Sequence, residues 1–193
     1  INEYGLQMTL VEAFSNFSGR SLHDCLQQIE NRINRKLPEN FTDEFRNQCR
    51  EAFRTQLKPV KGVKKFIDKL TISYCVASSA PVDKIKSNLK ITGLFEKFKN
   101  NIFSSYQINS WKPDPEIFLH ASREMGFLPD ECIVIEDSVA GVISAVKGGF
   151  DVYGFANENN SGALQNEGAT VFYSFDELEN MLGGNSQSDI EVT

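Results

Sequence analysis

The sequence predicts an α/β protein: a Rossmann-like parallel sheet preceded by a small helical cap domain. Three observations predict it. The first sixty residues carry apolar positions at helical spacing only. From Gly62 onward, short apolar runs alternate with amphipathic helices, the pattern of a parallel sheet covered on both faces. With 193 residues, 40% hydrophobic and 24% charged, the chain has an ordinary globular composition and enough length for two small domains.

A short helix is expected over residues 9–17. Ser21 follows as an N-cap, and Leu22, Cys25, Leu26, Ile29 and Ile33 mark one face of the next helix. Beyond Pro38, Thr42 reads as the cap of a third helix, with Phe45, Cys49, Phe53 and Leu57 recurring every four residues. Val63, Phe66, Ile67 and Leu70 then open the second region. Strands are expected at residues 72–77, 101–104, 132–136, 152–155 and 170–172. Helices between them start near Pro81, Pro115, Ser138 and Ser161, and a last one runs over residues 175–181. Proline suits a first helical turn because its missing N–H has no helical partner there. The division is a helical domain over 1–61, an α/β core over 62–182 and a polar, disordered tail over 183–193.

The formal charge of -6 argues against a nucleic-acid partner, which needs a basic stripe. The densest basic run, from Lys58 to Lys69, is interrupted by apolar residues and reads as a solvated helix face. Cys25, Cys49, Cys75 and Cys132 form no C-x-x-C pair, which points to reduced thiols and a cytoplasmic location. No apolar run approaches the ~20 residues of a membrane span, and no signal-peptide pattern opens the chain. The first residue is Ile1 rather than methionine, so an upstream segment stays open.

In open α/β sheets, ligands bind beyond the carboxyl ends of the strands. After the first strand, Ser78 and Ser79 precede a helix beginning at Pro81. They make either a simple N-cap or a cradle for an anion at a helix N-terminus. After the second, Lys112 stands in Trp111-Lys-Pro-Asp-Pro115, where two prolines stiffen the backbone. It is either an ordinary surface lysine or a fixed positive charge for a phosphate. After the third come Glu136 and Asp137, an acidic helix start or a pair of hard oxygen ligands for Mg²⁺. His23 and His120 have no partner at ligand spacing, and both are expected in satisfied or solvent-facing helical positions.

Taken together, these segments resemble the haloacid dehalogenase superfamily, in its branch with a small helical cap. Val76-Ala77-Ser78 is similar to its second motif, Lys112 in its Pro-Asp-Pro setting to its third, and Glu136-Asp137-Ser138-x-x-Gly141 to its fourth. Phe17-Ser-Gly19-Arg20-Ser21 resembles its cap segment. Within the branch, residues 106–115 and 134–141 look most like bacterial 6-phosphogluconate phosphatases. The resemblance implies a phosphatase acting on a small phosphorylated metabolite. Ser78, Ser79 and Lys112 would bind phosphate, Lys112 would steady the nucleophile, Asp137 with Glu136 would hold Mg²⁺, and Arg20 would meet the substrate. It also implies an attacking aspartate in an Asp-x-Asp-Gly motif on an opening core strand. Residues 1–62 hold no such motif, since Asp24 and Asp43 lie in helical patterns. The expectation is therefore a leading segment that supplies it, and no turnover without it. A β-phosphoglucomutase-like mutase and an inactive phosphate- and metal-binding protein are the alternatives.

Overall fold

The computed structural model of the protein describes residues 1–17 and 20–184. After a short 3-10 helix at Asn2–Tyr4 come three α-helices, α1 (Leu10–Phe17), α2 (Leu22–Ile33) and α3 (Phe41–Gln56). Thr9 and Glu12 start α1 reciprocally: the Thr9 N–H donates to the Glu12 carboxylate, and the Glu12 N–H donates to Thr9 Oγ1. Ser21 caps α2 as expected, accepting from the Asp24 N–H at 3.1 Å. Of the stripe on α2, Cys25 and Ile29 are buried.

The third helix departs from its sequence reading at its start. Its N-cap is Asn40, not Thr42, which lies one residue inside the helix. None of its residues is buried. Phe45, Cys49 and Phe53 instead line a cleft facing the start of the α/β region. Four-residue spacing fixes which residues share a face but says nothing about what that face meets.

The chain continues through α4 (Val63–Lys69), β1 (Val76–Ser78), α5 (Val82–Thr92), α6 (Phe95–Phe98) and β2 (Ile102–Ser104). Next come α7 (Ser105–Ile108), α8 (Glu116–Met125), β3 (Ile133–Glu136) and α9 (Val139–Lys147). It ends with β4 (Asp151–Phe155), α10 (Ser161–Asn166), β5 (Thr170–Phe172) and α11 (Phe175–Gly184). Gly62 starts α4 at φ +87°, a conformation that favours glycine, and a Cβ there would press on Phe175. The first strand is shorter than residues 72–77, and Ile72 is exposed. Two residues of the expected tail, Gly183 and Gly184, belong to α11, and 185–193 lie outside the described residues.

All pairings are parallel, but they fall into two sheets. One joins β1 to β2, with Ser78 opposite Ser104; the other runs β3-β4-β5, with Glu136 opposite Gly154. The two sheets share the same covering layers. On one face Ala77 and Phe103 pack with Val134, Val152, Ile117 and Val142. On the other, Val76 and Ile102 pack with Tyr153, Phe155, Phe172 and Leu178. Because neighbouring residues of a strand point to opposite faces, this alternation aligns the two sheets as one layer. Burial pushes the Cys75 thiol up to about 11, so it behaves as a small hydrophobe rather than a nucleophile.

Candidate active site

Lys112 and Glu136 form the centre of the site. The lysine comes from the loop after β2 and α7, the glutamate from the last position of β3. They make a buried ion pair, with both side chains less than 10% exposed. This contact brings the carboxyl end of β2 and that of β3 to the same edge. The ammonium also lies 4.6 Å from the centroid of the Phe118 ring, whose face favours a cation.

The second oxygen of Glu136 is equally engaged. It accepts from the Asp137 and Ser138 N–H groups, both at 3.2 Å, and from Ser138 Oγ at 3.0 Å. Ser138 also caps α9, its Oγ accepting from the Gly141 N–H at 3.1 Å. A side chain at Gly141 would overlap the Glu136 carboxylate, so the glycine leaves room for it. The Glu-Asp-Ser-x-x-Gly spacing thus seats one carboxylate against one lysine.

Asp137 is different. Its side chain is exposed, although protein crowds it on most sides. That crowding, and then the neighbouring Glu136 charge, push its carboxyl above the usual range, while Lys112 offsets part of the effect. A cation would relieve both penalties, and carboxylate oxygen suits Mg²⁺. Glu136 has its oxygens occupied, so Asp137 is the acid of the expected pair left open to a ligand. Among the described residues no three His, Cys, Asp or Glu side chains cluster to form a complete metal site.

Ser78 and Ser79 stand beyond β1. Ser78 Oγ accepts from the Ala80 N–H at 3.2 Å, a local turn bond. Ser104 Oγ donates to the Ala80 carbonyl at 2.6 Å and ties this loop to β2. Both serines line a cleft of about 1600 Å³ between the N-terminal helices and the sheet, and Arg20 lines it too. No hydrogen bond links either serine to Lys112 among the described residues. The cap segment around Arg20 is described only in part, because Ser18 and Gly19 lie outside the described residues.

Three buried side-chain polar atoms have no partner among the described residues: Ser79 Oγ, Ser105 Oγ and Trp111 Nε1. Ser79 and Ser105 follow β1 and β2 directly, and Trp111 lies in the loop after α7. Each such atom costs about 1–3 kcal/mol when left unpaired, and native proteins carry few. Reading the sequence alone misses Ser105, Trp111, Tyr106 and the cleft-lining Arg46. The Tyr106 and Trp111 rings meet edge to face at 5.3 Å. Aromatics so close to Lys112 are the signal that could have found them.

The α/β layer carries a lysine, two carboxylates and unpaired hydroxyl and N–H groups at or beyond its strand ends, chemistry suited to meeting a small anion. Residues 1–155 match the haloacid dehalogenase-like hydrolase family, and the chain belongs to it. It is 25% identical over 177 residues to the 6-phosphogluconate phosphatase of Escherichia coli, covering 91% of this chain and 80% of that protein. A phosphorylated carbohydrates phosphatase of Thermotoga maritima is 30% identical over 149 residues, covering 75% and 68%. Among solved structures, a conserved haloacid dehalogenase-like protein of Agrobacterium tumefaciens superposes with a TM-score of 0.82 at 26% identity. That alignment covers 96% of this chain and 87% of the other. No helix among the described residues is long and apolar enough to cross a membrane.

Proposed function

We propose that the protein is a Mg²⁺-dependent phosphatase of a small phosphorylated sugar, with 6-phosphogluconate as the first candidate substrate. The observation that carries this reading is the buried Lys112–Glu136 pair beside the open Asp137 carboxylate. The glutamate fixes the lysine in place, so its charge is already positioned when a phosphoryl group arrives. Preorganised charge of this kind is the main source of rate in phosphoryl transfer. Ser78, the unpartnered Ser79 hydroxyl and nearby N–H groups bind phosphoryl oxygens. Asp137 holds Mg²⁺, which when bound would reduce repulsion between an attacking carboxylate and the phosphate. The helices α1–α3 act as a cap over the cleft, and Arg20 meets the substrate there. Four free thiols support a cytoplasmic setting.

The attacking aspartate belongs on a strand between β1 and β3. Two features support that placement. The sheets share both covering layers, but no ladder joins them among the described residues. Ile133 and Ile135 are each more than a third exposed, although Val134 between them is buried. An inserted strand would pair these edges and cover both isoleucines. The reading frame before Ile1 tests this directly: Asp-x-Asp-Gly is expected there, and its absence refutes the placement.

Phosphate release from a panel of sugar phosphates tests the function, using protein that includes any such upstream strand. Mg²⁺-dependent release is expected, lost in Asp137→Ala and lowered about 10²–10³-fold in Lys112→Ala. Undiminished release by Asp137→Ala would overturn the assignment.

A further inference from the structure

The cleft above Ser78 and Ser79 is joined by a second cavity that no part of the reaction described so far uses. It measures about 450 Å³ and lies where α2 and α3 meet the segment after β2. From α2 and α3 it is lined by His23, Asp24, Thr42 and Arg46, and from the other side by Tyr106 and Trp111. Arg46 and Tyr106 line the large cleft as well, so the two spaces adjoin at these residues.

Two residues that line this cavity carry polar groups without partners among the described residues. The Trp111 Nε1–H is buried and unbonded, and an indole N–H can only donate. It therefore calls for an acceptor. The Arg46 guanidinium makes no hydrogen bond or ion pair among the described residues. That state distinguishes it from most arginines of the chain. Arg32 binds Asn16, Arg35 binds the Tyr4 carbonyl, Arg54 pairs with Glu51, and Arg123 pairs with Glu116. The three arginines without such a partner among the described residues, Arg20, Arg46 and Arg50, all line the large cleft. Of these, Arg46 alone also reaches the smaller cavity beside Trp111.

We propose that Arg46 and the Trp111 N–H form a subsite for a second anionic group, a carboxylate carried by the substrate away from its phosphate. A guanidinium offers a fork of donors matched to a carboxylate's two oxygens, and the indole N–H adds a donor from the opposite wall. Asp24, in the same cavity, favours a single negative charge there over a doubly charged second phosphate. Because Trp111 immediately precedes Lys112, occupation of the subsite would orient the substrate's phosphorylated end toward the lysine. The substrate class becomes a phosphorylated sugar acid rather than a neutral sugar phosphate. This inference rests on the phosphatase reading above.

Calorimetric titration of the full chain tests it, with 6-phosphogluconate, glucose 6-phosphate, fructose 1,6-bisphosphate and inorganic phosphate as ligands. The sugar acid is expected to bind about 10-fold or more tightly than glucose 6-phosphate. Arg46→Gln should bring that ratio close to one, and Arg46→Lys should restore part of it. Arg46 is exposed, so neither variant threatens folding. Equal affinity for the two sugar phosphates in the native chain would overturn the subsite and leave the phosphatase reading standing. A preference that survives Arg46→Gln would do the same. Tighter binding of the bisphosphate than of the sugar acid would overturn the carboxylate assignment. If no phosphorylated ligand binds, the phosphatase reading and the subsite fall together.

Discussion

Phe172 and Phe45 are both aromatic residues on apolar stripes, yet Phe172 is fully buried and Phe45 is 42% exposed. The first lies on β5, closed in by Phe66, Phe175 and Leu178. The second lies on α3, which buries no residue at all. The α/β region therefore packs its apolar faces against its own layers. The helical region keeps much of its apolar and cationic surface turned toward a cleft. One region is a frame, and the other presents an apolar and cationic face to the cleft.

The largest expected effect follows directly from this contrast. Phe172→Ala should lower unfolding free energy by about 3–5 kcal/mol, whereas Phe45→Ala should lower it by less than about 1 kcal/mol. Urea titration of both variants measures the difference. Similar losses would mean that α3 is packed as tightly as β5 and would remove the contrast.

Within the frame, the Lys112–Glu136 pair is the next point to break. Glu136→Ala leaves a buried ammonium without its partner, an effect of about 3–5 kcal/mol. Gly141→Ala should act in the same direction, because the new methyl group takes the space of the glutamate carboxylate. A Gly141→Ala protein as stable as the native one would show that Glu136 is not held by that glycine.

The frame is more legible in the sequence than the surface, for a physical reason. The expected bounds of β5 match the structure, and those of β2, β3 and β4 agree to within one residue. A short apolar run between glycine, proline and polar signals is too brief for a helix and too apolar for a loop, which leaves a buried strand. The first strand starts later than expected, because Ile72 and Ser73 precede Tyr74 and Cys75 in an apolar run whose first member is exposed. On α3, periodicity finds the helix but does not say what its stripe meets. At the site, Lys112, Glu136 and Asp137 stand out from their positions after strands. Their division of labour is not legible, because it depends on which oxygen each neighbouring donor reaches. Arg46 is invisible for a related reason: an arginine's significance lies in having no partner, and a sequence does not show partners.

A smaller effect distinguishes the loop beneath Lys112 from the pair itself. Asp114 accepts from the Glu116 N–H at 2.9 Å and from Ser110 Oγ at 2.8 Å, and these bonds hold its carboxyl below the ordinary value. Its stabilisation is present above the unfolded-state pKa and is lost as pH falls through the lower folded value. Asp114→Ala should therefore be less stable by about 1 kcal/mol at neutral pH. The gap should close on acidification below the carboxylate range. A gap that persists there would assign the loss to packing rather than to charge.

The smallest expected effect has the opposite sign and sets the two acids of the frame against each other. Glu136 is closed around its partners, while Asp137 is open and its carboxyl is pushed up by crowding and by Glu136. A carboxyl raised in the folded state disfavours folding once pH exceeds its unfolded value, about 3.9. Without divalent metal, Asp137→Asn should thus melt slightly higher than the native protein at pH 7, on the order of 1–2 °C for an exposed group in a chain of this size. The difference should shrink as pH falls toward the unfolded value, because the penalty builds up only above it. Added Mg²⁺ should raise the melting temperature of the native protein and leave the variant unmoved, reversing their order. A variant that melts lower than the native protein in metal-free buffer at pH 7 would make Asp137 a structural acid like Glu136. The open edge of the frame would then have no carboxylate reserved for a cation.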